Sequence, residues 1–149
     1  MKISLGCDHG GYELNKIIKT RLEQSGYEVI NKGIFELEEV DYPDIARMVA
    51  ESIIQEEADC GILICGTGIG MSIAANKVKG IRAALITDSF SARMAKEHNN
   101  ANVITLGART LGTELAWELI TTYLEAVFLG EKHEKRIEKI MAIEQDSAF

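Results

Sequence analysis

Short apolar runs recur five times along the chain, and between successive runs lie longer stretches whose apolar residues fall three and four apart. The runs are Ile3 to Cys7, Glu28 to Ile30, Cys60 to Cys65, Ile81 to Thr87 and Asn102 to Leu106. Runs of this length, rich in β-branched residues and mostly closed by Gly, Asp or Cys, read as strands. The stretches between them carry helical stripes: Tyr12, Leu14, Ile17, Ile18 and Leu22 in the first, Ile45, Met48, Val49, Ser52 and Ile53 in the second. Three more helices are expected to start near Gly70, Ser89 and Gly112. Strands that alternate with helices form βαβ units, whose right-handed crossovers give a parallel sheet covered on both faces. The expected fold class is therefore α/β, with one Rossmann-like, doubly wound domain and a five-stranded parallel sheet.

After Gly130 the composition turns to Glu131-Lys132-His133-Glu134-Lys135-Arg136, followed by Ile137, Ile140, Met141 and Ile143 on one stripe. This is a terminal amphipathic helix, an arm over residues 130–149 of a single domain 1–149. Two placements stay open: docked on its own domain, which its position slightly favours, or reaching a partner subunit.

A chain of 149 residues fits one domain that buries about two-thirds of its unfolded surface. Hydrophobic residues at 46% and charged residues at 26% suit a packed core rather than a disordered chain. The net charge of −7 argues against nucleic acid and anionic membranes as partners, since both require a basic surface. An anionic small molecule is compatible if cations are placed locally. No apolar run approaches the roughly 18 residues of a membrane span, and Asp8 interrupts Lys2 to Cys7 too early for a signal-peptide core. A cytoplasmic protein is expected. Three cysteines without a Cys-x-x-Cys pair form neither a disulfide framework nor a zinc site, so each thiol is weighed singly.

In an open parallel sheet the ligand crevice lies beyond the carboxyl ends of the strands. The residues there are Asp8-His9-Gly10-Gly11, Cys65-Gly66-Thr67-Gly68-Ile69-Gly70, Asp88-Ser89 and Gly107-Ala108-Arg109. Acid, imidazole, thiol, hydroxyl and guanidinium are thus expected at one edge. Glycines at 66, 68 and 70 let the backbone approach a ligand and turn N–H groups toward an anion, and the helix that follows adds its positive end. Alone, such a loop is a weak signal. It also lacks the dinucleotide fingerprint, which belongs after the first strand. Cys65 precedes the loop, where the helix field favours the thiolate and makes the sulfur a base or nucleophile. Cys7 and Cys60 fit the commoner state of a free cysteine, buried and inert.

His9 directly follows a strand, which favours function. His98 ends a helix in Glu97-His98-Asn99-Asn100, where a C-terminal cap explains the asparagines about as well as catalysis does. For His133, a solvated face and phosphate binding are evenly matched. Neither His nor Cys spacing suits a metal site, and no serine elbow is present, so no cofactor is expected.

Taken together, Gly6-Cys7-Asp8-His9-Gly10-Gly11-Tyr12-Glu13-Leu14, Asp41-Tyr42-Pro43-Asp44, Cys65 to Lys77 and Glu97-His98-Asn99-Asn100-Ala101-Asn102 resemble the type B ribose-5-phosphate isomerases. The resemblance runs from the first strand to the last helix. It extends to the sugar-phosphate isomerase family that also holds galactose-6-phosphate and allose-6-phosphate isomerases.

The resemblance implies a metal-free aldose–ketose isomerisation of a sugar phosphate through an enediolate, with Cys65 shuttling the proton between C1 and C2. It implies that Gly66, Gly68 and Gly70 offer amides to the oxyanion, that Thr67 handles a hydroxyl proton and that Tyr42 lines the substrate. His98 would open the furanose ring with Asp8 opposite, and His9, Arg109, Lys132 and Arg136 would hold the phosphate. Family sites lie at a homodimer interface, with His98, Asn99 and Arg109 of one subunit facing Asp8, His9 and Cys65 of the other; a tetramer is a further possibility. The chain departs from the pattern at Glu131-Lys132-His133, where the family usually writes Gly-Arg-His, so a point charge replaces a planar fork. A six-carbon sugar phosphate and a non-catalytic phospholigand-binding module stay open as alternatives.

Overall fold

Every apolar run becomes a strand in the computed structural model, which describes residues 1–145. The order is β1 (Lys2–Cys7), α1 (Tyr12–Gln24), β2 (Glu28–Asn31), α2 (Tyr42–Ile54), β3 (Cys60–Cys65), α3 (Ile69–Ala75), β4 (Ala83–Leu85), α4 (Ser89–Glu97), β5 (Val103–Gly107), α5 (Thr113–Glu125) and α6 (Lys132–Gln145). The strands pair in the order β2-β1-β3-β5-β4, and every pairing is parallel.

Alternation along β3 explains why both faces must be covered. Ile62 and Ile64 enter one core with residues of α1, α4 and α5, whereas Leu63 and Cys65 enter a second with residues of α2 and α3. Each successive side chain points to the opposite face, so a strand apolar at every position needs helices on both sides. α2 sits low on its face because Gly6 and Gly61 lack side chains: a Cβ there would lie 2.8 and 2.7 Å from Val49. From β1 the chain goes outward to β2, and from β3 it goes the other way to β4. The topological switch point therefore falls between the carboxyl ends of β1 and β3, where Asp8 and Cys65 stand.

Two elements differ from expectation. The fourth run pairs only over Ala83–Leu85, not from Ile81 to Thr87. Ile81 is drawn into a turn by its N–H to the Val78 carbonyl, and the Arg82 N–H is taken by Asn102 Oδ1. On the outer side of this edge strand, Asn76 donates to the Ala83 carbonyl and accepts from its N–H, both at 2.8 Å. A side chain thus fills the pairing positions that a further strand would take.

The last helix also docks otherwise than its stripe suggests. His133 is its one buried residue, while Ile140 and Ile143 are 41% and 73% exposed. The helix is held instead by Leu129 N–H on the Glu97 carbonyl, by Gly80 N–H on the Glu144 carboxylate, and by Arg82 against Met141 Sδ. Residues 146–149 of the expected arm lie outside the described residues. No described helix is long and apolar enough to cross a membrane.

Candidate active site

At the switch point Cys65 ends β3 with its side chain buried. The chain then folds back over the sulfur, and Gly68 donates its N–H to Cys65 Sγ at 3.1 Å. This return needs a left-handed residue, and Gly68 takes φ +78°, where a side chain is strained. Thr105 on β5 holds the loop from below, its hydroxyl donating to the Gly68 carbonyl at 2.9 Å. Thr67 stays exposed above it, its Oγ1 accepting from Ile69 N–H at 3.3 Å.

Three neighbours close in on this loop. Asp8, buried at the end of β1, accepts the Gly11 N–H at 3.1 Å and so caps the 3-10 turn His9–Gly11. A Cβ on Gly10 would lie 3.2 Å from both Asp8 Oδ1 and Gly66 N, so the turn packs directly on the glycine loop. His9 projects from it exposed. Tyr42, first residue of α2, lays its ring on Gly70, where a Cβ would come within 2.7 Å of ring carbons. Arg109 donates its N–H to the Gly66 carbonyl at 2.9 Å, and its side chain runs over Gly66, with Cδ and Nε 3.4 Å from the Cβ position.

The other thiols behave as core. Burial pushes Cys7 and Cys60 up to about 12, so neither carries a thiolate near neutral pH. Cys60 also stands at the far end of the same strand.

The remaining expected residues gather elsewhere. α4 runs back from the carboxyl edge, so His98, its C-cap, stands near the start of β5. Cys65 pairs with Gly107 while Val103 pairs with Gly61, which separates the two edges by about 13 Å of strand. His98 stacks on His133 with ring centroids 4.1 Å apart and planes 12° from parallel. Asn99 is exposed beside it, and Lys132 and Arg136 project exposed from the first turns of α6. His133 is held below the usual histidine range, first by burial and then by the positive neighbours His98, Lys132 and Arg136.

One chain therefore presents two clusters at opposite edges of its sheet. Cys65, Thr67, Asp8, His9, Tyr42, Arg109 and the loop glycines form one; His98, Asn99, Lys132 and Arg136 form the other. One expectation is corrected. Arg109 stands with Cys65 of its own chain rather than with His98, because the β5 turn hydrogen-bonds to the glycine loop. His133, for which a solvated face and phosphate binding are evenly matched in the sequence, is buried and stacked on His98. Sequence reasoning missed Thr105 and Arg82, which support the two clusters. Thr105 left a signal, a hydroxyl inside an apolar run; Arg82, which donates to the Asn99 and Asn100 carbonyls, left none.

A sulfur that accepts an amide N–H, with a carboxylate, a guanidinium and a glycine-rich loop around it, suits proton transfer at a carbon whose neighbouring oxygen gains charge. Among the described residues no group of three or more His, Cys, Asp or Glu is placed to hold a metal ion.

Comparison with known proteins agrees with this chemistry. The profile of the ribose/galactose isomerase family matches residues 3–140. Ribose-5-phosphate isomerase B of Escherichia coli (strain K12) is 46% identical over 144 residues, covering 97% of each chain. The solved structure of Clostridium thermocellum ribose-5-phosphate isomerase B is 51% identical, with a TM-score of 0.97 over 99% of this chain and 100% of that one. The Mycoplasma genitalium ribose-5-phosphate isomerase B structure with bound ribulose-5-phosphate is 38% identical, with a TM-score of 0.93 over 98% and 97%.

Proposed function

The chain belongs to the ribose/galactose isomerase family and is an aldose–ketose isomerase of sugar phosphates, and from that premise we propose that it interconverts ribose 5-phosphate and ribulose 5-phosphate with Cys65 as the proton carrier. The observation that carries this reading is the Gly68 N–H on Cys65 Sγ at 3.1 Å, at the switch point of the sheet. A sulfur held there takes the proton from C2 of the open aldose and returns it to C1, through an enediolate. Loop amides other than those of Gly68 and Ile69, which Cys65 Sγ and Thr67 Oγ1 already take, face the developing oxyanion, and each well-aimed donor is worth about 3 kcal/mol. Thr67 handles the hydroxyl proton, and Tyr42 walls the sugar.

The site is completed by a second copy of the chain. His98 and Asn99 cannot reach Cys65 of their own chain across the sheet, so they serve the glycine loop of a partner. In that arrangement His98 opens the furanose ring, with Asp8 opposite, before carbon chemistry begins. His9 and Arg109 of one copy meet Lys132 and Arg136 of the other around the phosphate, which localises positive charge on an acidic protein. Exposed Ile69, Ile73 and Phe90, at 51, 58 and 65%, offer apolar surface next to the loop and α4 for that contact. The assembly is a homodimer or a dimer of dimers, and a sugar-phosphate substrate suits an enzyme of the cytoplasm.

A six-carbon sugar phosphate is the second reading, since thiol and loop serve either chain length and the family profile spans both. Coupled assays of the chelator-treated protein on ribose 5-phosphate, allose 6-phosphate and galactose 6-phosphate separate them. Ribose 5-phosphate is expected to give the highest kcat/KM. A higher value on either hexose phosphate reassigns the substrate, and binding without turnover on all three leaves a phospholigand-binding module.

A further inference from the structure

The turn that carries His98 and Asn99 is held from outside its own helix. Arg82 donates Nε and Nη2 to the Asn100 carbonyl at 3.1 and 2.9 Å and Nε to that of Asn99 at 3.3 Å, which satisfies carbonyls a helix end leaves free. Leu129 N–H takes the Glu97 carbonyl at 3.0 Å. The third hold is the imidazole of His133, buried while the rest of α6 is not and stacked nearly parallel on His98. A histidine side chain alone rotates about two bonds, and a flat ring against its face removes the second rotation.

Resting on the ring-opening role of His98 proposed above, we propose that His133 is a positioning residue: its ring, lying flat on His98, fixes the plane of that imidazole and ties to it the first turn of α6, which bears Lys132 and Arg136. The ring-opening group and two of the phosphate cations then move as one body. The phosphate end of the sugar, once bound, sets where its ring oxygen meets His98. The fit needs a planar ring at 133, not a titrating one.

His133→Ala, His133→Phe and His98→Asn proteins test this, each checked for folding by circular dichroism. Two readouts are compared: turnover of ribose 5-phosphate, which needs ring opening, and solvent deuterium exchange into ribulose 5-phosphate, which has no furanose ring. His133→Ala is expected to lower kcat on ribose 5-phosphate between about ten- and a hundredfold, the cost of a misplacement of about 1 Å, with a smaller change in KM. Exchange into ribulose 5-phosphate should stay within about twofold of wild type, the sign that proton transfer is intact. His133→Phe should recover most of the loss. Wild-type turnover in folded His133→Ala overturns the proposal, as does a folded His133→Phe that loses as much as His133→Ala, since the imidazole then acts by its chemistry. If His98→Asn keeps full turnover, the role of His98 itself is wrong, which is a different failure from an inert His133.

Discussion

Cys7, Cys60 and Cys65 are all buried, yet they differ in what surrounds the sulfur. Burial, with a nearby carboxylate adding to it, pushes the first two up to about 12, whereas Cys65 stands at the carboxyl end of its strand and accepts the Gly68 N–H. Cys65→Ser should therefore lower kcat by about 10²- to 10⁴-fold, the usual worth of a positioned acid–base group. KM should change little, because the phosphate contacts are separate from the sulfur. Steady-state assays of the variant check this, and near-wild-type turnover would remove the thiol from the chemistry. Cys7→Ser and Cys60→Ser should keep their turnover while losing about 1–3 kcal/mol of stability for a buried hydroxyl. The placement of the thiol at a strand end before three glycines is what made Cys65 readable from sequence. Nothing local could have told that His133 is buried, because its charged neighbours look like a solvated face and its ring partner lies on another helix.

The glycine loop is the element on which the geometry depends most. A side chain at Gly68 would be strained at φ +78°, with its Cβ 2.6 Å from Leu85 Cδ1 and 2.9 Å from the Leu106 carbonyl carbon. Leu85 can turn aside but the β5 backbone cannot. Gly68→Ala should cost about 1–3 kcal/mol in urea unfolding and lower kcat by pulling the N–H from the sulfur; a variant as stable and active as wild type would contradict this. Docking of α6 offers a pH test. His133 is held below the ordinary histidine range, so the unfolded chain binds this proton more readily than the folded one. Its contribution to stability is complete above about pH 6.5 and is lost as pH falls toward the lowered folded value. Melting temperature should fall over that window more steeply in wild type than in His133→Phe, and equal slopes would show that protonation of His133 takes no part in stability. Helix and strand identities followed from apolar spacing, since each element is apolar toward a core. The extent of β4 did not, because an edge strand is trimmed by side chains such as Asn76 and Asn102 that act across sequence distance.

At the scale of the whole molecule the parallel sheet imposes a division. Groups at strand ends gather at the carboxyl edge, and groups at the end of a returning helix gather at the other, so one chain cannot bring Cys65 and His98 together. The alternation of runs was enough to place the first cluster, because strand ends converge in any sheet of this kind. The second cluster was legible only through family resemblance, since sequence patterning carries no record of what the proposed second copy would bring. The edge at which each residue stands turns that resemblance into geometry. Mixing Cys65→Ser and His98→Asn proteins, each inactive alone, after unfolding and refolding them together tests the shared site most directly. Random pairing puts one intact site in each mixed dimer, so ribose 5-phosphate turnover should return to about a quarter of wild type. A mixture no more active than either variant alone would place Cys65 and His98 in a site built by one chain and contradict the account.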